Sequence, residues 1–365
     1  MREFLPAKLS AFGGSHVSQP AVVHHALVKR GVELREVDVP EVPNDSVLLR
    51  VGAVGICGSE VHQYLNEHSW AVNIPVILGH EFAGEIEQVG VNVTEYAPGD
   101  RVVSETAASI CGRCALCRSG RYHLCPERKG FGYGRDGAMT QRIDVPARCL
   151  HRVPDGLPLD QAAMCEPCCV AYHATAIHAD IKPGMSVAVL GCGPIGLLCA
   201  QVAKLCGANP LVMTGLSVDA SRLALAREHW VDQAIAVDRD DLRAAVTRFG
   251  DGMGFDVVID AVGANAGLRD AVDIVRPAGR IVKVGWGPGA MNFSLDPLVQ
   301  KAVTLQGSFS HHWLLWERVL HMLATRQLEV DPIITARLPI DRWREGFEAM
   351  HQSEAIKAVL LPNGA

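Results

Sequence analysis

The run Ser186-Val187-Ala188-Val189-Leu190-Gly191-Cys192-Gly193-Pro194-Ile195-Gly196 decides how the second half of this chain folds. Its opening is a short, continuously apolar strand signal of the kind found in sheets buried on both faces. Glycines follow at once in the pattern G-x-G-x-x-G, and an apolar helical pattern continues to Cys206. Strand, glycine-rich turn and helix in direct succession give this short motif its meaning. The glycines let the backbone turn tightly and approach a pyrophosphate, whose charge rests at the helix N-terminus. The stretch predicts a doubly wound parallel sheet that binds a dinucleotide through Gly191, Gly193, Pro194, Ile195 and Gly196.

Downstream, the strand and helix signals keep alternating, as such a sheet requires. Residues 211–213, 233–237, 255–261, 279–285 and 303–308 read as strands, and residues 220–229 and 265–275 as helices. A doubly wound sheet holds its ligand at the carboxyl ends of its strands, so Ala261, Val262, Gly263 and Gly285 are expected near the cofactor. Upstream, residues 26–103 alternate short β-branched runs with Gly, Pro, Asn and Asp turns, which predicts a β-barrel or sandwich. Residues 1–24 show no clean alternation and read as an N-terminal extension.

Two clusters carry chemistry. Cys111, Cys114, Cys117 and Cys125 follow C-x2-C-x2-C-x7-C. Four thiolates close a tetrahedron around zinc and leave no open position, so this ion would staple a loop. An iron–sulfur cluster also takes four Cys, and Pro126 follows the last of them, but the short ferredoxin run has closer final spacing. The second cluster, Gly55-Ile56-Cys57-Gly58-Ser59-Glu60-Val61-His62 with Gly79-His80-Glu81, gathers a thiol, a hydroxyl, imidazoles and carboxylates. Cys and His suit a catalytic zinc that keeps one position open; the same residues also suit a buried thiol and two surface imidazoles.

Composition bounds the function. A chain of 365 residues predicts about two domains. A net charge of -6 without a Lys/Arg block gives no footprint for nucleic acid. The first residues lack the apolar core of a signal peptide, and no run approaches the ~18 apolar residues of a membrane span. Twelve Cys without a secretory signal point to the reducing cytoplasm, where thiols are metal ligands or small core residues.

The zinc-ligand pair in a β-rich first half, the four-Cys loop and the dinucleotide unit before a C-terminal return together resemble the zinc-containing medium-chain alcohol and polyol dehydrogenases. The sorbitol and threonine dehydrogenase branch is the most similar. The resemblance covers residues 26–363 and is carried by Gly55 to Ser59, Gly79-His80-Glu81, the four Cys, Glu166-Pro167 and Gly191 to Gly196. It implies a GroES-like β-barrel catalytic domain over residues 25–174 and 309–365, and a Rossmann domain over residues 175–308. It also implies two zinc ions per chain, one catalytic and one structural, with NAD or NADP, a small alcohol or ketone substrate, and a homodimer or homotetramer.

Position by position, the resemblance implies a catalytic zinc on Cys57 and His80, with Glu81 beside it and Glu166 as ligand directly or through water. Cys165, Cys168 and Cys169 stand near enough in sequence to offer sulfur instead. Ser59 takes the place of the residue that receives the alcohol proton, and His62 that of the residue passing it toward solvent through the cofactor ribose. Val170 and Phe309 are expected against the nicotinamide.

Three positions depart from the family pattern. Glu60 replaces an Asp that orients a zinc-binding His. Gly215, about 20 residues after Gly196, replaces the acid that grips the ribose of NAD; with Ser217 and Arg222 placed to bind a 2′-phosphate, the expected cofactor is NADP, while Asp219 could replace the acid after a small insertion. Gln63 and Ser310 fall where the polyol enzymes use Tyr and Arg. The expected substrate is therefore a secondary alcohol on a polyol other than sorbitol, a sugar acid or a cyclitol. Amino-alcohol oxidation of the L-threonine 3-dehydrogenase kind, and a non-catalytic zinc-stapled protein, are the alternatives. Tyr64, His68, Trp70, His311, His312 and Trp313 are candidates to line the pocket.

Overall fold

The structure, a computed structural model, describes residues 17–249 and 252–364. Its second half is built on a six-stranded parallel sheet. In spatial order the strands are Gln233–Ala236, Leu211–Gly215, Val187–Leu190, Phe255–Asp260, Val275–Lys283 and Thr304–Gly307, that is, third, second, first, fourth, fifth and sixth along the chain. The order reverses beside Val187–Leu190, and the crevice at that reversal is where such sheets bind ligands. Val187–Leu190 is buried along its whole length, as a continuous apolar run in a two-faced sheet must be. The helix Pro194–Leu205 starts directly after the turn, with Pro at its first position, where the missing N–H costs nothing. A Cβ at Gly196 would stand 1.8 Å from the Gly191 carbonyl oxygen, so only glycine lets helix and strand approach this closely.

The first half folds around a seven-stranded sheet. Ile334–Pro339, Lys357–Leu361, Ser46–Gly55, Glu81–Val89, Arg101–Ser104 and Leu150–Arg152 follow one another across it, and Arg142–Pro146 also pairs with Ser46–Gly55. Two of these strands come from the C-terminal end of the chain, and Lys357–Leu361 runs antiparallel to Ser46–Gly55. A small third sheet joins Val32–Asp38, Ser18–His24 and Val76–Ile77.

That small sheet corrects the expected extension over residues 1–24. Ser18–His24 is a strand paired on both sides, with Ala21, Val22 and Val23 buried. Burial of consecutive residues erases the alternation by which a half-exposed strand is recognised. Residues 1–16 of the expected extension lie outside the described residues.

One apolar core runs through both halves, from Ala53, Ala83 and Val103 through Met164 and Cys168 to Val187, Leu198 and Trp316. The helix Cys165–Tyr172 lies at its centre and continues as a π-helical turn, His173–His178. The floor of the crevice is thus packed solid. Among the described residues, no helix is long and apolar enough to cross a membrane.

Candidate active site

Among the described residues, two groups of side chains converge closely enough to hold a metal ion. In the first, the ligand atoms of Cys57, His80 and Glu81 all lie within 4.8 Å of one another. Cys57 precedes the helix Gly58–Leu65, and His80 and Glu81 sit where the strand Glu81–Val89 begins. Glu60, fully buried, ties the two ends together: its Oε2 accepts the Cys57 N–H at 2.6 Å and its Oε1 lies 2.5 Å from His80 Nδ1. The longer acid reaches both neighbours at once and leaves His80 Nε2 to face the donor group. Burial works against an imidazolium at His80, but Glu60 and Cys57 outweigh it and hold its pKa well above the usual histidine value.

One of these donors, Glu81, also forms a buried ion pair with Lys357, each residue about 1% exposed. Burial disfavours the lysine charge, yet Glu81 and Cys57 more than offset it and raise the Lys357 pKa. Glu166 lines the same cleft but stands outside the close group, because His311 Nε2 holds its Oε1 at 2.9 Å. Trp316 Nε1 donates to His311 Nδ1 at 2.9 Å. An indole N–H can only donate, so His311 Nδ1 is an acceptor and its proton lies on Nε2, directed at Glu166. Burial alone would raise the Glu166 pKa; the His311 bond, helped by His80 and Lys357, holds it below the usual carboxylate value. Cys165, Cys168 and Cys169 are fully buried in the core and do not reach the cleft.

The second group is Cys111, Cys114, Cys117 and Cys125. Cys111 Sγ and Cys117 Sγ are 3.9 Å apart. A tetrahedral zinc with Zn–S near 2.3 Å requires sulfurs about 3.8 Å apart, so the four thiols fit one ion and are too close for a cluster. Backbone N–H groups of Cys111, Cys114 and Cys117 donate to the sulfurs of Cys125, Cys111 and Cys114 at 3.3–3.4 Å. Hydrogen bonds from Arg113 and Cys114 draw the Cys111 pKa down to about 6, toward the thiolate a metal takes.

A cleft of about 400 Å³ joins the first donor group to the sheet crevice. Its wall includes Cys57, Ser59, His62, His80, Glu81, Glu166 and Val170 together with Gly193, Pro194, Ile195, Gly196, Ala261, Val262, Gly285 and Phe309. Gly191 and Gly263 support that wall from behind, against the Ala261–Val262 backbone and the Trp286 carbonyl. Ser59 and His62 stand at i and i+3 on one helix, hence on one face. Burial lowers the His62 pKa against the opposing charge of Glu67.

Two family profiles match this chain: "Alcohol dehydrogenase GroES-like domain" over residues 43–155 and "Zinc-binding dehydrogenase" over residues 194–325. A sorbitol dehydrogenase from Halalkalibacterium halodurans is 38% identical over 90% of the chain and 95% of its own length. A D-arabitol-phosphate dehydrogenase from Enterococcus avium is 36% identical over 90% and 93%. Among solved structures, a zinc-binding dehydrogenase from Sinorhizobium meliloti bound to NADP superposes with a TM-score of 0.87 at 28% identity, covering 95% of this chain and 100% of that one. The chain belongs to the zinc-type medium-chain polyol dehydrogenases. It is an NAD(P)-dependent oxidoreductase acting on secondary alcohols.

In this dehydrogenase the end of the strand Leu211–Gly215 differs from the sequence expectation. A Cβ at Gly215 would stand 2.5 Å from Cys192 Sγ, so the cysteine of the glycine-rich turn fills the space an acid would need. Asp219 lies beside that cysteine, raising its pKa together with burial, and also holds Arg222 at 3.3 Å. The other Arg222 nitrogen donates to the Ala355 carbonyl at 2.8 Å. Ser217 gives both its N–H and its hydroxyl to Asp238. The two residues expected to meet a 2′-phosphate are thus engaged with carboxylates.

Of the expected lining residues only Trp70 reaches the cleft. Tyr64 is buried against Trp343 and Phe347 and donates to Glu348, His311 acts from behind Glu166, and His312 packs on His123 and His173. Gln63 holds His24 and the Gly132 carbonyl. Lys357, Arg128, Thr106 and Tyr133, all in the cleft, were not anticipated as site residues. For Lys357 the signal is a lysine opening the apolar run Lys357–Leu361.

Proposed function

We propose that the dehydrogenase oxidises a secondary alcohol of a polyol or sugar-acid type at a zinc held by Cys57, His80 and Glu81, with Glu166 reaching it directly or through water. The convergence of those three donors on the same cleft as Gly193–Gly196 carries this reading. A zinc there supplies Lewis acidity toward the alcohol hydroxyl, and NAD(P) supplies the hydride acceptor. Ser59 accepts the hydroxyl proton, and His62, kept neutral by burial, relays it outward along the helix face. Val170 and Phe309 exclude water from the reacting carbon. Glu60 and Lys357 fix the His80 and Glu81 side chains. Cys111, Cys114, Cys117 and Cys125 hold a second, structural zinc, for two per chain. Residues 309–364 complete the catalytic half.

Beside the expected NADP, the carboxylates at the end of the strand Leu211–Gly215 favour NAD. Asp219, beside Cys192 and one turn past the strand end, has the charge to accept the ribose hydroxyls, whereas a 2′-phosphate would meet the carboxylates of Asp219 and Asp238. The unpaired edge strand Thr304–Gly307 supports a homodimer or homotetramer.

Metal analysis with initial-rate kinetics tests the reading. The native enzyme should hold about two zinc ions per chain and reduce NAD more efficiently than NADP when a polyol is supplied. Cys57→Ser should lose one zinc and nearly all turnover; a variant with full zinc and full rate refutes the metal assignment.

A further inference from the structure

The cleft carries a positive charge that the hydride transfer does not use. Arg128 lies in the loop after Cys125 and lines the cleft beside Thr106, Tyr133 and Phe309. Its guanidinium is fixed from several sides. Nη1 donates to the Tyr133 hydroxyl at 2.6 Å and Nη2 to Thr106 Oγ1 at 2.7 Å. The Phe309 and Tyr133 rings lie 5.4 and 5.8 Å from its central carbon. Its Nε is buried and donates to no protein atom.

Both hydroxyl partners are neutral. Among the described ion pairs no carboxylate reaches Arg128, whereas Lys357, the other strong cation in the cleft, is held by Glu81. A partly desolvated cation without a counter-charge is costly, which makes Arg128 a candidate to meet an anion bound in the cleft. The location says which part of a substrate that anion would be. The Tyr133 ring stands edge-on to His80 at 6.4 Å, and Phe309 lies 5.8 Å from Trp286. Arg128 is therefore one ring removed from the metal donors and one ring removed from the Trp286 wall. Because Phe309 also shields the reacting carbon in the reading above and lies 5.4 Å from the guanidinium carbon, that is a position for a charged substituent carried close to the reacting carbon.

We propose that Arg128 determines specificity and that the substrate is an anionic polyol, a secondary alcohol bearing a carboxylate or a phosphate monoester. The proposal rests on the dehydrogenase reading above and narrows its substrate. The guanidinium fork can donate two parallel hydrogen bonds to either anion. A neutral polyol leaves the charge unpaired, and a site built around a polar group of its ligand rejects analogues lacking that group far more strongly than it rejects a missing methylene.

The test compares xylitol, xylonate and xylitol phosphate as substrates and, by calorimetry, as ligands of the zinc-loaded enzyme. The wild type should favour at least one anionic member over xylitol by about 100-fold in kcat/KM, and the better of the two identifies the anion. Arg128→Met should erase most of that preference through KM, lowering kcat/KM for the anionic member far more than for xylitol, and Arg128→Lys should restore part of it. Equal or better use of xylitol by the wild type overturns the proposal, as does an Arg128→Met enzyme weakened alike toward all three compounds, the mark of a bracing role. If no member is oxidised, none of the three is the polyol this dehydrogenase turns over, and calorimetry still decides: anion binding lost in Arg128→Met supports the role, and anion binding unchanged or absent refutes it.

Discussion

Glu60 holds two parts of the donor group at once. One oxygen holds the Cys57 N–H and the other faces His80 Nδ1, so a single side chain sets the backbone of one proposed ligand and the ring of another. Acids that orient a metal-binding His contribute about 10–100-fold in metal affinity. Glu60→Ala should therefore weaken the zinc at Cys57 by about that factor in chelator competition, while the zinc on the four Cys stays bound. Equal loss at both sites, or none at the first, would show that Glu60 only fills space. At this scale the sequence was informative where residue type is tied to chemistry: Cys57, His80, Glu81 and the four Cys converge in space. It was silent where the role comes from a partner far along the chain. Lys357 becomes a site residue only because Lys357–Leu361 pairs with Ser46–Gly55 and meets Glu81. Arg128, three residues after Cys125, carries no sequence signal of its own, and Thr106 and Tyr133 hold it in the cleft.

The helix Cys165–Tyr172 presents Glu166 and Val170, four residues apart, to the cleft and passes into the π-helical turn His173–His178. That turn packs His173 against His178, His123 and His312, with ring centroids 4.2, 5.5 and 5.6 Å away, while His173 Nδ1 pairs with the Ser310 carbonyl at 2.8 Å. Burial pushes the His173 pKa down to about 4, with the neighbouring imidazoles adding to the shift and the Ser310 bond opposing it. The unfolded chain binds this proton near pH 6.5, the folded chain only near pH 4, so stability is full above 6.5 and falls as pH drops through that window. Urea unfolding at several pH values should show a shallower decline for His173→Gln, by up to ~1.4 kcal/mol per pH unit; parallel curves would mean that the ring titrates normally. Elements of this kind are where reading from pattern is weakest. The parallel strands and the helices Pro194–Leu205, Ala220–His229 and Asn265–Ile274 follow their periodicity closely. Ser18–His24 does not, because neighbours on both sides bury consecutive residues, and the replacement of an acid by Gly215 makes sense only once Cys192 is seen to fill the space.

Among the described residues the six-stranded parallel sheet ends in two edge strands, Gln233–Ala236 and Thr304–Gly307, and the second bears exposed apolar side chains. Thr304–Gly307 pairs with Val275–Lys283 on one side only, and Leu305, 40% exposed, lies at that edge with Val299, 81% exposed, on the helix Asp296–Gln300 just before it. An uncovered edge strand bearing apolar side chains is a template for another strand, and the partner that fits without risk of open-ended assembly is the same strand of a second copy, related by a two-fold axis. Such pairing would join two six-stranded sheets through their backbones and bury both exposed side chains, leaving the clefts, at the strand reversal several strands away, unobstructed. The enzyme should therefore sediment as a dimer or a multiple of one. Val299→Lys with Leu305→Lys places like charges face to face across the axis and should shift the distribution toward monomer at low salt, with partial recovery as salt screens the charges. A wild type that sediments as a monomer, or a double variant that assembles normally at every salt concentration, would move the interface to another face of the molecule.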